Sequence, residues 1–388
     1  MGAPNKPANT LFKQQRLPAW QPILSPPHVT ACFVVIALVF IPIGVALIIA
    51  NNAAFDSEYQ YSGKKTCTAS ELEYNYTVDG VTTSQGCRHT IEFTLADKIT
   101  APVYMYYKLT HFYQNHRRYA KSRSDSQLRG TEVSSSSMSD AEPLTIPGDY
   151  IGAKDVPLSV NGVNTSYNSF VYNPAGLVAW SMFNDTFALY RVESGVRTLL
   201  CDSTMFDVAT NLPTNSNMTC KKQGIAWDSD VSAKYKQPFL SNSQWTAKRS
   251  LFGQADVVSN NAFLQNGWYA NESGHNVPVP QDEDFMVWMR TSSLPEFRKL
   301  FRVFTEDLQA GEYEMDIVEF FDVSSFGGEK AFALATVTWA GGKNEFLAIA
   351  YIVVGAVVLV AGVVFLIVHK ACGDRSQKAI EELMNEMK

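Results

Sequence analysis

VTACFVVIALVFIPIGVALIIA (29–50) and FLAIAYIVVGAVVLVAGVVFLIV (346–368) decide the fold of this 388-residue chain. Neither run holds a charged side chain, and each exceeds the roughly 20 residues that an α-helix needs to cross about 30 Å of hydrocarbon. In that solvent a backbone must satisfy its own hydrogen bonds, so both runs read as membrane-spanning helices. The 295 residues between them, 51–345, then lie on one side of the bilayer. The first run starts after 28 residues and outlasts the ~7–15-residue apolar core of a cleaved signal peptide, so an uncleaved anchor is expected. Small residues at Ala50, Ala53 and Ala54 leave cleavage as the alternative.

Glycosylation signals and charge both speak to sidedness. Five Asn-X-Ser/Thr sequons, at Asn75, Asn164, Asn184, Asn217 and Asn271, all fall between the helices, and such sites are modified only in the secretory lumen. Residues 1–28 carry Lys6, Lys13 and Arg16 with no acid, and residues 369–388 open with His369, Lys370, Arg375 and Lys378. Basic flanks favour the cytosolic side, so both tails are expected there, with a luminal or extracellular ectodomain. The ectodomain carries 25 basic and 34 acidic residues, about nine net negative charges, which argues against a nucleic-acid surface.

Cysteine usage fits an oxidising compartment. Cys67, Cys87, Cys201 and Cys220 lie in the ectodomain, Cys32 in the first helix and Cys372 just past the second. Four thiols allow three pairings, and sequence alone does not choose among them. Pairing neighbours, Cys67 with Cys87 and Cys201 with Cys220, closes two short loops, each stabilising by about 3 kcal/mol on a chain-entropy argument, and is the expected arrangement.

Short alternating runs recur between the helices: TIEFTL (90–95), PVYMYY (102–107), SFVYN (169–173), TFALYRV (186–192), EDFMVWMRT (283–291), YEMDIVEFFDV (313–323) and KAFALATVTWA (330–340). Turn formers bound most of them. The expected class is therefore an α+β membrane protein, with two spanning helices flanking an antiparallel, sandwich-like β ectodomain that carries short helices. One such helix is predicted over LPEFRKLFRVF (294–304), where Leu294, Phe297, Phe301 and Phe304 recur at helical spacing. Residues 131–142 and 202–223 read as loops or mobile inserts, and Asp282-Glu283-Asp284 as a solvated turn. The domain order is a cytosolic tail 1–28, helix 29–50, ectodomain 51–345, helix 346–368 and cytosolic tail 369–388.

No phosphate-binding Gly-x-x-x-x-Gly-Lys-Ser/Thr loop, His-Glu-x-x-His pair or Gly-x-Ser-x-Gly elbow is present, so no catalytic residue, cofactor or metal is expected. Neither apolar run contains an ionisable side chain of the kind that lines pump and transporter pathways. Ala348, Gly355 and Gly362 recur every seven residues, a narrow seam along which another helix can approach, and this points to an association partner within the bilayer. Pro42 and Gly44 mark a kink or close contact in the first helix. In the amino-terminal tail, Phe12, Arg16 and Trp20 belong to an apolar-basic strap suited to headgroups or a cytosolic protein face.

Several blocks carry a specific resemblance: FKQQRLPAWQPIL, PVYMYYKLTHFYQNHRRYAKSRSDSQL, GLVAWSMFNDTF, GIAWDSD, DFMVWMRTSSLPEFRKLFR and GGKNEFLAIAYIVVG. In content and order they resemble the ligand-effect-modulator family, the accessory β-subunits of type-IV P-type ATPase phospholipid flippases. The resemblance implies a non-catalytic subunit of a heterodimer, needed for folding, exit from the endoplasmic reticulum and activity of an ATPase that moves phospholipid to the cytosolic leaflet. It implies membranes of the endoplasmic reticulum, Golgi, endosomes and cell surface. A stand-alone surface receptor or adhesion glycoprotein is the alternative that topology, glycans and disulfides would equally suit. Within the FYQNHRRY block, Tyr107, Phe112, Arg117 and Arg118 are expected to knit the ectodomain, the two arginines by locking buried loops. The chain departs from the family where Ala175 replaces a frequent Cys, where His111 replaces a frequent Asn, and at Trp180.

Overall fold

The computed structural model describes residues 8–17, 26–78, 81–131, 133–145, 157–160, 163–166, 174–207, 210–236 and 280–386, with side chains described outside 26, 27, 69, 73–85, 135, 157–166 and 374–386. The elements begin with α1 (Pro26–Ala53), β1 (Asp56–Gln60), β2 (Leu72–Val78), β3 (Val81–Leu95) and β4 (Val103–Leu109). Next come α2 (Arg117–Lys121), α3 (Asp125–Leu128), β5 (Pro157–Val160), β6 (Val163–Ser166), α4 (Leu177–Trp180), β7 (Thr186–Glu193) and β8 (Val196–Asp202). The chain continues through β9 (Cys220–Lys221), α5 (Glu283–Met289), β10 (Phe297–Phe304), β11 (Gly311–Glu319), β12 (Lys330–Ala335) and α6 (Glu345–Glu386). Two compact units result, the helix pair and the ectodomain Ala54–Val337.

In the helix unit, the apolar stretches His28–Ala53 and Glu345–Gly373 are 26 and 29 residues long. Each is about 40 Å at 1.5 Å per residue, long enough to span. The small residues face inward, toward the chain's own partner helix. A Cβ on Gly44 would meet Ile352 Cγ1 at 2.5 Å, one on Gly355 would meet Ile41 Cγ1 at 2.8 Å, and one on Gly362 would meet Phe33 Cβ at 3.2 Å. Ala348 is buried in the same seam. The seam of Ala348, Gly355 and Gly362 is thus occupied by α1, which corrects the expectation of an external helix there. Its physical logic stands: with lipid tails as apolar as Leu, close backbone approach and dispersion hold two helices together. Phe33 packs edge-on against Phe365 and Phe40 tilts against Tyr351, at centroid distances of 5.9 and 5.1 Å.

Among the described residues the ectodomain forms two five-stranded antiparallel sheets, ordered β1-β12-β4-β10-β9 and β2-β3-β11-β7-β8, with β5 and β6 as a separate hairpin. Alternation does the layering. Along β4, Val103, Met105, Tyr107 and Leu109 are buried while the residues between them are partly exposed, and along β11, Tyr313, Met315 and Ile317 do the same. The inward faces meet through aromatic rings: Tyr59 lies 4.5 Å from Phe93, and Phe187 lies 5.3 Å from Phe301. Each such ring buries on the order of 150–250 Å². The first and last strands are neighbours, with Asp56 opposite Ala335 and reciprocal bonds between Phe55 and Thr336 beyond them.

Covalent and ionic staples cross between the sheets. Cys67 pairs with Cys87 and Cys201 with Cys220; the second bond joins β8, an edge of one sheet, to β9, an edge of the other. A buried polar cluster also bridges them. Lys330 Nζ at the start of β12 lies 2.7 Å from Asp185 and 3.0 Å from Glu319 of β11. Asp185 also accepts from Tyr61 Oη (2.8 Å) and from the amides of Phe320 and Phe321 (both 2.7 Å). Burial pushes the Glu319 carboxyl up against the pull of Lys330, and burial followed by Lys330 pushes the His89 imidazole down.

Two assignments reverse. Residues 297–304 of LPEFRKLFRVF form a strand, because Phe297, Lys299, Phe301 and Val303 also alternate inward and a bulge between Leu300 and Arg302 adds Arg302 and Phe304. The buried cations disguised that pattern. Conversely, most of EDFMVWMRT is the helix α5, capped by Asp282 Oδ1 accepting from Asp284 N at 2.8 Å. Asp282-Glu283-Asp284 is therefore no solvated turn: Lys222 Nζ sits 2.6 Å from Asp282, Arg302 Nη1 sits 2.7 Å from Asp284, and Glu283 Oε2 accepts from the amides of Gly224 and Ala226. Burial alone would raise the Asp284 carboxyl, but Arg302 and Lys222 hold it below the usual carboxylate range. Within 133–145 the chain makes two short 3-10 turns, Ser135–Ser137 and Ser139–Ala141, and Met138 and Ala141 are buried with Leu144 and Ala175 in a small satellite core. Apolar packing thus fills the position where the resemblance would place a cysteine. KAFALATVTWA ends as strand at Ala335, and Thr338–Gly341 forms a tight turn instead.

Two measurements follow from this packing. Gly355→Leu drives a branched side chain into Ile41 and is expected to separate α1 from α6, read as loss of proximity cross-linking between the helices, whereas Val357→Leu on the exposed side leaves it intact. Lys330→Met leaves Asp185 and Glu319 buried without a cation and is expected to cost about 3–5 kcal/mol. Thermal unfolding should show most of that loss restored in the Asp185→Asn/Lys330→Met double variant.

Candidate association surfaces

Among the described residues, the buried charges of the ectodomain are paired within its own fold, so candidate functional residues are sought among those left outward. FYQNHRRY shows how one segment serves both ends. Phe112 turns inward, its ring within 5.5–6.4 Å of Tyr119, Trp288, Phe297, Phe321 and Phe326. Tyr107 is also interior, stacked on Phe183 at 4.1 Å. Trp288 Nε1 donates to Val178 O at 2.7 Å, and Tyr119 shares a 2.7 Å bond with Ser181, its hydroxyl pushed up to about 12 by burial. Gly176 at φ +104 makes this junction possible: a Cβ there would fall 2.1 Å from Ser122 O. His111 sits at φ +56, a left-handed setting that suits Asn better than His.

The other half of the block faces water. Its backbone and side chains tie it to residues 292–295: Phe112 N donates to Pro295 O (3.1 Å), Asn115 Nδ2 to Ser293 O (2.9 Å), and Ser292 N to Gln114 Oε1 (2.9 Å). This rigid double loop displays Tyr113 and Leu294, 58% and 66% exposed. Arg117 and Arg118 open α2 beside it, both exposed and without an ion-pair partner among the described residues. They therefore do not lock buried loops; that work falls to Arg123, which donates to Met289 O, and to Arg302. The sequence placed the arginines inside on their capacity for forked hydrogen bonds, whereas the helix start turns its first residues outward.

An aromatic-guanidinium pair is exposed at Trp227, where Arg290 stacks 4.1 Å above the indole and pairs with Asp230. In the amino-terminal tail, a turn over 11–15 leaves Leu11, Phe12, Arg16 and Leu17 exposed; Trp20 lies outside the described residues. Of the sequons, Asn217 is exposed on its loop and Asn184 is half-buried beside Asp185. Asn75 and Asn164 lie on β2 and β6, where only the backbone is described, and Asn271 lies outside the described residues. No group of three or more metal-ligating side chains converges among the described residues. Sequence reasoning missed Asp185, Lys330 and Arg302 as structural charges; for Lys330 and Arg302 the signal was charge inside otherwise apolar β runs, whereas Asp185 precedes its strand.

Comparison with known proteins matches this architecture along its length. The sequence profile of the LEM3 (ligand-effect modulator 3) family / CDC50 family matches residues 47–375. Cell cycle control protein 50A of Mus musculus is 36% identical over 392 aligned residues, covering 96% of this chain and 92% of the relative. ALA-interacting subunit 3 of Arabidopsis thaliana is 32% identical, covering 94% of this chain and 86% of the relative, and Cell cycle control protein 50B of Homo sapiens is 31% identical, with 94% of each covered. With two apolar helices enclosing a disulfide-stapled β ectodomain and a profile match over most of its length, the chain belongs to the LEM3/CDC50 family.

Proposed function

We propose that this chain is the non-catalytic β-subunit of a type-IV P-type ATPase phospholipid flippase, bound to the ATPase as a heterodimer and needed for its folding, exit from the endoplasmic reticulum and activity. The observation that carries the reading is full-length kinship with relatives that include ones named as interacting subunits. In this reading the ATPase supplies nucleotide binding, phosphorylation and the lipid path, and the present chain supplies surfaces. Both termini lie in the cytosol, and the complex passes from the endoplasmic reticulum to Golgi, endosomal and plasma membranes.

Physical chemistry suggests where the contacts fall. Within the membrane, the α1–α6 seam is used up internally, leaving the outer faces, with Val35, Leu38, Val353, Val357 and Val360 exposed, for the ATPase helices or lipid. On the cytosolic side the apolar-basic tail with Phe12, Arg16 and Trp20 is the natural strap. On the ectodomain, Tyr113, Arg117 and Arg118 combine rigid aromatic area with two unspent forked donors, the residue types of interface hot spots, and Leu294 adds an apolar contact beside them. Since they lie outside the core, removing them should leave the fold alone.

Mild-detergent purification of the tagged chain is expected to recover a large P-type ATPase in near-equal amount; repeated recovery of the glycoprotein alone would favour the receptor alternative. The Arg117→Ala/Arg118→Ala variant should melt within about 0.5 kcal/mol of wild type, as exposed substitutions do, while recovering less ATPase. Equal ATPase recovery would remove these arginines from the interface.

A further inference from the structure

The segment leading into α6 carries an exposed aromatic that the fold does not use. Thr338 and Gly341 are bridged by reciprocal backbone bonds, Thr338 N to Gly341 O at 2.8 Å and Gly341 N to Thr338 O at 2.9 Å. Thr338 Oγ1 tightens the turn by donating to Gly341 O (3.2 Å) and accepting from Ala340 N (3.4 Å). Gly341 adopts φ +100, which a side chain would strain. At the tip stands Trp339, 77% exposed. An indole held out by so constrained a turn has little freedom to fold back.

Chain length fixes how far this tip can stray from the bilayer. The bridge anchors it at Gly341, four residues before Glu345 opens α6, a reach of at most about 14 Å. The level of that helix start is itself set, since Asn344 N donates to Asn51 Oδ1 (2.6 Å) near the end of α1. The first turn of α6 then exposes Phe346 and Leu347, 80% and 45%. Lys343 and Glu345 mark the water boundary just before the apolar run. An exposed indole, a few residues before that boundary and before a helix start that exposes Phe346 and Leu347, matches the amphipathic demands of the headgroup layer.

We propose that the 338–341 turn is a membrane-surface anchor, with Trp339 seated among the phospholipid headgroups of the leaflet in which α6 begins. Its occupant is lipid, and its effect is to fix the depth at which the second span starts. The proposal depends on α6 spanning the bilayer and not on which ATPase, if any, is bound.

The test uses the full-length chain in phosphatidylcholine vesicles whose acyl chains are brominated near the headgroup or near the midplane. Tryptophan emission is compared for wild type, Trp339→Phe and Trp227→Phe, the last removing an ectodomain indole of similar exposure, 65% against 77%. The lipid-quenched part of the emission should fall in Trp339→Phe, more for shallow than for deep bromine, and stay unchanged in Trp227→Phe. The acrylamide-quenched part should fall in Trp227→Phe only. An unchanged lipid-quenched part in Trp339→Phe overturns the proposal: accompanying loss of acrylamide quenching would place Trp339 in water, and no loss of either would place it against protein.

Discussion

The two ends of the chain are tied together, and the architecture depends on that closure. β1 pairs with β12, and Phe55 and Thr336 exchange bonds just beyond them, so the ectodomain is entered and left side by side. Within the membrane unit, α1 and α6 meet through Gly44, Ala348 and Gly355, where backbones approach too closely for a larger side chain. Contacts between residues nearly three hundred apart in sequence carry a heavy loop-closure entropy. They are offset in each unit by its own chemistry: dispersion and close packing in lipid, strand pairing and aromatic burial in the ectodomain.

Charge is handled the same way in the interior. Lys330, Asp185 and Glu319 form one buried group; Lys222, Arg302, Asp282 and Asp284 form another. Buried ions of this kind contribute little net stability relative to apolar packing but penalise any arrangement that leaves one unpaired. The first group joins β12 of one sheet to β11 and Asp185 beside the other, which favours a single register between the sheets. What remains outward, notably Arg117, Arg118, Tyr113 and Leu294, has no such internal role.

Much of this was legible in the sequence for reasons that can be named. The spans announced themselves because hydrocarbon imposes length and apolarity at once, and β4, β7 and β11 because one face of each is buried and the other partly exposed. The neighbouring-cysteine arrangement, one of three open to four thiols, is the one the structure holds. The failures share a cause: tertiary partners decided them. Phe297, Phe301 and Phe304 fit both a helix and a strand, and only β4 alongside chose the strand. Asp282-Glu283-Asp284 looked solvated until Lys222 and Arg302, distant in sequence, arrived to neutralise it. The glycine seam pointed correctly to a helix but not to which one, because residue spacing carries no identity for the occupant. Arg117 and Arg118 can make forked hydrogen bonds to any carboxylate or carbonyl, and that capacity does not say which way a helix start faces.

An accessory subunit should be inert by itself and indispensable in company. Reconstituting the chain alone, its copurified ATPase alone, and both together into vesicles holding a fluorescent phospholipid tests this directly. The account predicts ATP-dependent movement of lipid between leaflets only when both chains are present, with no ATP hydrolysis by this chain. Full transport by the ATPase without it, or ATP hydrolysis by this chain on its own, would contradict the account.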